Sequence, residues 1–148
     1  MKKSATNGIL LILFLIVWGI HLPETGFTQS RTIGNFSIDL PSQWTSAGES
    51  EHGDAFLFRN DAQKIEIAVQ KEPVPCANPV DLNKLIVSQI QILQKEQWII
   101  EQRKPAAPCS FAGQKTCHLM KVKSRSTGQQ KFILNPLVKS NVYRIEVT

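Results

Sequence analysis

The chain has 148 residues, of which 42% are hydrophobic and 20% are charged. This composition is ordinary for a globular protein and the length predicts one domain, so collagen-like, low-complexity and multi-span membrane proteins are excluded. Seventeen Lys and Arg against twelve Asp and Glu give a formal net charge of +5.

The amino terminus has the pattern of an export signal. Lys2 and Lys3 precede an unbroken apolar run, Ile9–Ile20. As a helix this run extends only ~18 Å at about 1.5 Å per residue, which is short of a ~30 Å hydrocarbon core. A basic start and a short apolar stretch predict a secretory signal peptide over residues 1–30.

The end of the leader is marked by small residues. The pairs Gly26/Thr28 and Thr28/Ser30 have the spacing that precedes a cleavage site, and cleavage near Ser30 is favoured. Retention as an amino-terminal anchor is the alternative. We therefore expect an exported protein, whether periplasmic, secreted or membrane-anchored, with one domain over residues 31–148.

Alternating apolar residues predict three strands before the first proline-rich connector. Pro41 ends the first strand because proline cannot donate to a sheet ladder, and Asn60–Gln63 forms a turn between the second and third. The predicted strands are Phe36–Leu40, Ala55–Arg59 and Lys64–Gln70.

One long helix is predicted from about Pro79 to Gln97. Asn78 is the candidate N-cap, Pro79 suits the first helical position, and Asp81 lies near the positive end of the helix dipole. Val87 and Ile92 widen the apolar stripe, which predicts burial against a sheet. The residues that recur at helical spacing are Leu82, Leu85, Ile86, Gln89, Ile90 and Leu93.

Four further strands are predicted after the helix, and His118, Met120 and Val122 share one face of the second. Strands grouped in runs indicate an α+β fold, a mostly antiparallel sheet with one long helix packed on it. The predicted strands are Trp98–Arg103, Gln114–Ser124, Gln130–Val138 and Asn141–Val147.

The segment Phe36-Ser37-Ile38-Asp39-Leu40-Pro41-Ser42-Gln43-Trp44 resembles the opening of the PsbP/Mog1/DcrB-like superfamily, and the order of elements is similar over most of residues 33–148. The resemblance implies an α-β-α sandwich and a non-catalytic accessory, binding or envelope protein. Such domains generally carry a further helix after the last strand. This chain ends at Thr148, so the closing helix is expected to be missing.

Three cysteines in an exported chain predict a disulfide. Cys109 and Cys117 flank Gly113 symmetrically, so a hairpin there would bring their sulfurs together. Pairing of Cys76 with either is the alternative. An unpaired Cys76 is free, buried or joins two chains in a homodimer.

The sequence predicts neither catalysis nor a cofactor. Cys117 and His118 are neighbours and point to opposite faces of a strand, and no C-x-x-C or H-x-x-x-H spacing suggests a metal site. Gly113-Gln114-Lys115-Thr116 lacks the earlier glycine of a phosphate-binding loop, because Pro108 occupies that position. No acid–base or nucleophile constellation can be assembled.

Charge is strongly segregated along the chain. Residues 31–102 carry six basic and ten acidic residues, whereas residues 103–148 carry nine basic residues and one acidic residue. We expect the basic half to attract an anionic membrane surface or an acidic protein partner in a salt-sensitive way. The candidate basic surface comprises Lys121, Lys123, Arg125 and Lys131.

Three alternatives to this interpretation stay open. A lysine-rich outer face also discourages edge pairing without binding anything. A disulfide-stapled structural envelope protein that dimerises through Cys76 is the second function considered, and an enzyme with an unrecognised site is the third. Nucleic acid is not an expected partner, because the protein is predicted to be exported and no aromatic residue interleaves with the lysines.

Overall fold

The computed structural model describes residues 27–107 and 116–148. In these residues one helix lies among nine strands. The strands are β1 (Phe27–Ile33), β2 (Phe36–Pro41), β3 (Thr45–Glu49), β4 (Ala55–Asn60), β5 (Ile65–Lys71), β6 (Trp98–Ala107), β7 (Thr116–Ser124), β8 (Gln130–Val138) and β9 (Asn141–Val147), and the helix is α1 (Pro79–Lys95).

Seven of the strands form one antiparallel sheet in the order β3-β4-β5-β9-β8-β7-β6. The first two form a separate antiparallel hairpin, β1–β2. The predicted α+β class with a mostly antiparallel sheet and one packed helix is therefore confirmed.

Each face of the large sheet has its own cover. On one face the hairpin β1–β2 and Trp44 pack over β4, β5, β9 and β8, and this hairpin-side core includes Phe58 and Tyr143. On the other face α1 packs over β6, β7, β8 and part of β9 through a helix-side core that includes Leu82, Ile86 and Met120. The α-β-α sandwich implied by the family resemblance would have helices on both faces of the sheet. In the described residues, the face opposite α1 is covered by the β1–β2 hairpin instead of a helix.

The two covers are offset, so each leaves part of the sheet open. Within the described residues, the hairpin-side core reaches β7 at Cys117 and Leu119 and leaves β6 and the rest of β7 open, and α1 leaves the helix side of β3, β4 and β5 open. A concave surface of about 420 Å³ lies on this second region, and its lining includes Gly48, Ala55, Leu57 and Ala68. Within the described ranges no helix has the length and apolarity needed to cross a membrane.

Helix α1 begins as predicted. The side chain of Asn78 accepts hydrogen bonds from the backbone N of Val80 (2.9 Å) and of Asp81 (3.0 Å). The expected burial of Val87 and Ile92 is wrong, because their exposed fractions are 47% and 52%. The helix ends at Lys95 because Gln97 takes a positive φ of 66°, which redirects the chain into β6.

Strands β1 and β3 are not among the strands predicted from the sequence. The residues of β3 are exposed throughout and include no alternating apolar set, so its sequence gives no strand signal. Strand β1 starts at Phe27, inside the segment assigned to the leader.

Strand β6 also runs past the predicted end, through Pro105 to Ala107. It is the edge strand of the sheet, and its register shifts between Lys104 and Ala107. A proline is tolerated at such a position because no ladder hydrogen bond is lost there.

Candidate anion-binding face

The hairpin side of β6 and β7 carries three lysines. Cross-strand partners project to the same face of a sheet. Lys121 is the partner of Phe132 and Lys104 is the partner of Leu119. Both apolar residues pack against the hairpin-side core, which fixes the face to which Lys104 and Lys121 belong. Lys123, two residues after Lys121, shares that face.

Arg125 adds a fourth cation immediately after β7. Its backbone N donates to the carbonyl of Gln97 at 2.9 Å, which joins the turn after β7 to the end of α1. Arg125 itself is exposed. We call Lys104, Lys121, Lys123 and Arg125 the basic face.

One carboxylate opposes these four cations. Glu101 occupies the bulge between Ile100 and Gln102, and its Oε2 lies 3.3 Å from Nζ of Lys121. No acidic side chain of residues 27–107 or 116–148 forms an ion pair with Lys104, Lys123 or Arg125, and these three are exposed. The basic face therefore keeps a net positive charge.

Lys131 does not belong to this face, contrary to the grouping made from the sequence. It is the partner of Val122, which lies in the helix-side core, so Lys131 projects to the opposite side of the sheet. There its Nζ lies 2.9 Å from Glu146 and 4.4 Å from the centre of the Trp98 ring. With a side-chain exposure of 13% and a bound carboxylate, Lys131 contributes little to long-range attraction.

Sequence reasoning missed two members of the open region. Lys104 lies outside the predicted strand Trp98–Arg103, which ends before Pro105, and its pairing with Leu119 in the β6–β7 register places it beside the other lysines. Ile99 is the partner of Lys123 and 41% exposed, so an aliphatic side chain lies on the basic face. Lysines around an exposed aliphatic residue are a combination that suits an interfacial surface.

The histidine and cysteine at 117 and 118 separate as expected. His118 is 0% exposed on the helix side, whereas Cys117 packs against the hairpin-side core. The described ranges contain no cluster of His, Cys, Asp and Glu able to hold a metal ion.

His118 is a buried polar residue with two polar neighbours. Its Nε2 accepts a hydrogen bond from Nε of Arg103 at 3.0 Å, and its cross-strand partner is Asn135, also 0% exposed. Burial, and then the charge of Arg103, lower the pKa of His118 to about 4. His118 is therefore neutral at physiological pH.

The predicted Cys109–Cys117 pair falls partly outside the described residues, because Cys109 lies in the segment 108–115; pairing of Cys76 with Cys109 lies outside them for the same reason. Of the described cysteines, Cys76 is not joined to Cys117, and it is 1% exposed in the helix-side core. Burial, followed by the charges of Asp81 and Glu72, raises the pKa of this thiol. A bridge between two chains would require Cys76 to leave that core.

No protein-family model matches this sequence, and no curated protein matches it significantly.

Proposed function

We propose that this protein is an exported, non-catalytic accessory protein that binds an anionic membrane surface through the basic face. The observation that carries the proposal is the exposure of Lys104 and Lys123 on the hairpin side of β6 and β7, with Arg125 exposed in the turn that follows β7. Export is inferred from the amino-terminal leader and is part of the proposal.

A lipid surface is the proposed partner because an exposed aliphatic residue lies among the lysines. Ile99 lies beside Lys123 with an exposed fraction of 41%. A basic cluster with an aliphatic residue matches the boundary between anionic headgroups and acyl chains. An acidic protein surface would use the same charges and is the main competing partner.

A PsbP/Mog1/DcrB-like domain is part of the same proposal. The motif that carries the resemblance is well built: Trp44 is 0% exposed, and its backbone N donates to the carbonyl of Pro41 at 3.1 Å. Strand, proline and tryptophan thus form one unit that closes the hairpin-side core. Accessory and binding roles are what the resemblance implies.

The test is sedimentation of the protein with vesicles. We expect binding to vesicles that contain phosphatidylglycerol, weaker binding as the ionic strength rises, and none to pure phosphatidylcholine. A triple variant in which glutamine replaces Lys104, Lys123 and Arg125 should bind these vesicles more weakly, on the order of 100-fold, because each juxtamembrane cation contributes about 1 kcal/mol.

A matched variant removes the same charge elsewhere. Lys64, Lys95 and Lys139 are exposed and lie outside the basic face, so their replacement with glutamine should have a much smaller effect. Equal losses in the two triple variants would contradict a localised site. Binding to phosphatidylcholine that salt does not weaken would contradict the electrostatic mechanism, and capture of an acidic envelope protein without vesicle binding would favour the competing partner.

A further inference from the structure

Strand β1 includes the last residues of the segment that the sequence pattern assigns to the leader. Phe27, Gln29 and Ser30 pair with Pro41, Leu40 and Asp39, and these are three of the six cross-strand pairs of the hairpin. Cleavage after Ser30 would remove all three and leave only Arg31–Ile33 to pair with β2.

The consequence for β2 is severe because this part of the strand is buried. Asp39 is 5% exposed and Leu40 is 1% exposed with Phe27–Ser30 in place, so a cut after Ser30 would remove both the backbone partners of these residues and part of their cover. Buried N–H and C=O groups in native proteins are almost always paired. Among the described strands, β2 pairs with β1 alone, and a two-stranded ladder is weak even at full length, so the loss of half of its pairs would loosen β2.

The hairpin is also the cover of the hairpin-side core. Phe36, Ile38 and Leu40 of β2 are each less than 5% exposed and pack against strands of the large sheet. Loosening β2 would expose these side chains to water. The fold therefore needs β1 from Phe27 onward.

From this we infer that the exported chain keeps the whole of β1, so that any processing of the leader cuts the chain before Phe27. The inference rests on the export that the proposed function includes. Thr28 and Ser30 then serve as strand residues, and the small-residue pairs that contain them do not direct cleavage after either position.

The experiment expresses the full chain with a carboxy-terminal tag in a bacterial host. The protein is purified separately from the cytoplasmic, periplasmic and membrane fractions, and its amino terminus is determined by intact mass and terminal sequencing. We expect the exported chain to start at Phe27 or earlier, the uncleaved chain included. An exported chain that starts at Gln29 or Arg31 would overturn the inference.

A substitution sharpens the result. Ser30 is exposed, and Ser30→Leu removes the small residue needed immediately before a cut at the Ser30–Arg31 bond. The start of the exported chain should not change, and loss of processing in this variant would overturn the inference. Ser42→Leu makes the same change at an exposed position after β2 and controls for general effects on export.

The fractions separate the two possible failures. A chain that stays intact in the cytoplasm refutes export and, with it, the inference. A chain that reaches the periplasm or membrane and starts at Arg31 refutes the inference alone and leaves the membrane-binding proposal standing.

Discussion

The hydroxyl of Tyr143 accepts a hydrogen bond from the backbone N of Asn35 at 3.0 Å, across 108 positions of the sequence. Tyr143 lies on β9 near the middle of the large sheet, and Asn35 lies in the tight turn between β1 and β2. The Tyr143 ring also stacks on Phe36, with 5.0 Å between the ring centroids. One side chain therefore holds the hairpin turn against the sheet.

Tyr143→Phe should lower the free energy of unfolding by about 1 kcal/mol, because it removes one hydrogen bond and keeps the ring stack. Urea denaturation monitored by tryptophan fluorescence measures the change. Asn35→Ala is the control: the backbone N–H that makes the bond remains, so this variant should unfold close to the wild type. A Tyr143→Phe protein as stable as the wild type would show that water replaces the bond without cost.

The close approach of the Tyr143 hydroxyl also restricts position 34 to glycine. Its φ is +56°, and a Cβ built on it would lie 2.9 Å from the Tyr143 hydroxyl. Gly128 has a similar φ of +72° with nothing within 4 Å of such a Cβ. Gly128→Ala should therefore cost only the backbone strain, roughly 1–2 kcal/mol, and Gly34→Ala should cost more in the same unfolding assay.

Combining Gly34→Ala with Tyr143→Phe tests the steric part. Removing the hydroxyl makes room for the added methyl group, so Gly34→Ala should cost less in a chain that already carries Tyr143→Phe than in the wild type. An effect of Gly34→Ala no larger than that of Gly128→Ala would mean that the Tyr143 side chain shifts freely.

The elements that could be predicted are those whose burial follows one local period. The alternation at Ile65, Ile67 and Val69 is enough to predict β5, and the face that His118, Met120 and Val122 were predicted to share is a buried one. Each of these patterns is complete within a few residues, because a strand with one buried face alternates regularly.

Which side of the sheet a cation occupies depends on pairing between distant strands. Lys121 and Lys131 are both on strands of the basic half, but Lys121 pairs with Phe132 and Lys131 with Val122, which places them on opposite faces. A one-residue change of register would reverse that result. Charge counting therefore predicts a basic half correctly and cannot predict which of its cations share a surface.

Asn78, the N-cap of α1 that the sequence predicts, should contribute measurably to stability. Asn78→Ala should destabilise the protein by about 1 kcal/mol, because its side chain accepts from two backbone N–H groups at the helix start. Thermal unfolding followed by circular dichroism measures this. Asn83→Ala, at an exposed position inside the helix, should be neutral or slightly stabilising, and a similar loss in both variants would contradict the capping role.

His118 should make stability depend on pH. Its pKa in the folded protein is about 4, below the ordinary value of 6.5, because burial and the nearby Arg103 charge oppose protonation. The unfolded chain therefore binds the proton first as the pH falls. The stabilisation is complete above about pH 6.5 and is lost progressively toward pH 4, by up to about 3 kcal/mol.

The comparison that isolates this effect uses His118→Gln and the matched variant His52→Gln, at an exposed histidine. Carboxylates titrate in the same range in all three proteins, so the difference between unfolding free energies is the relevant quantity. His118→Gln should flatten the dependence between pH 6.5 and 4, whereas His52→Gln should follow the wild type. Parallel curves for the wild type and His118→Gln would mean that His118 binds its proton equally readily in the folded and unfolded chains. That result would contradict the lowered pKa of His118.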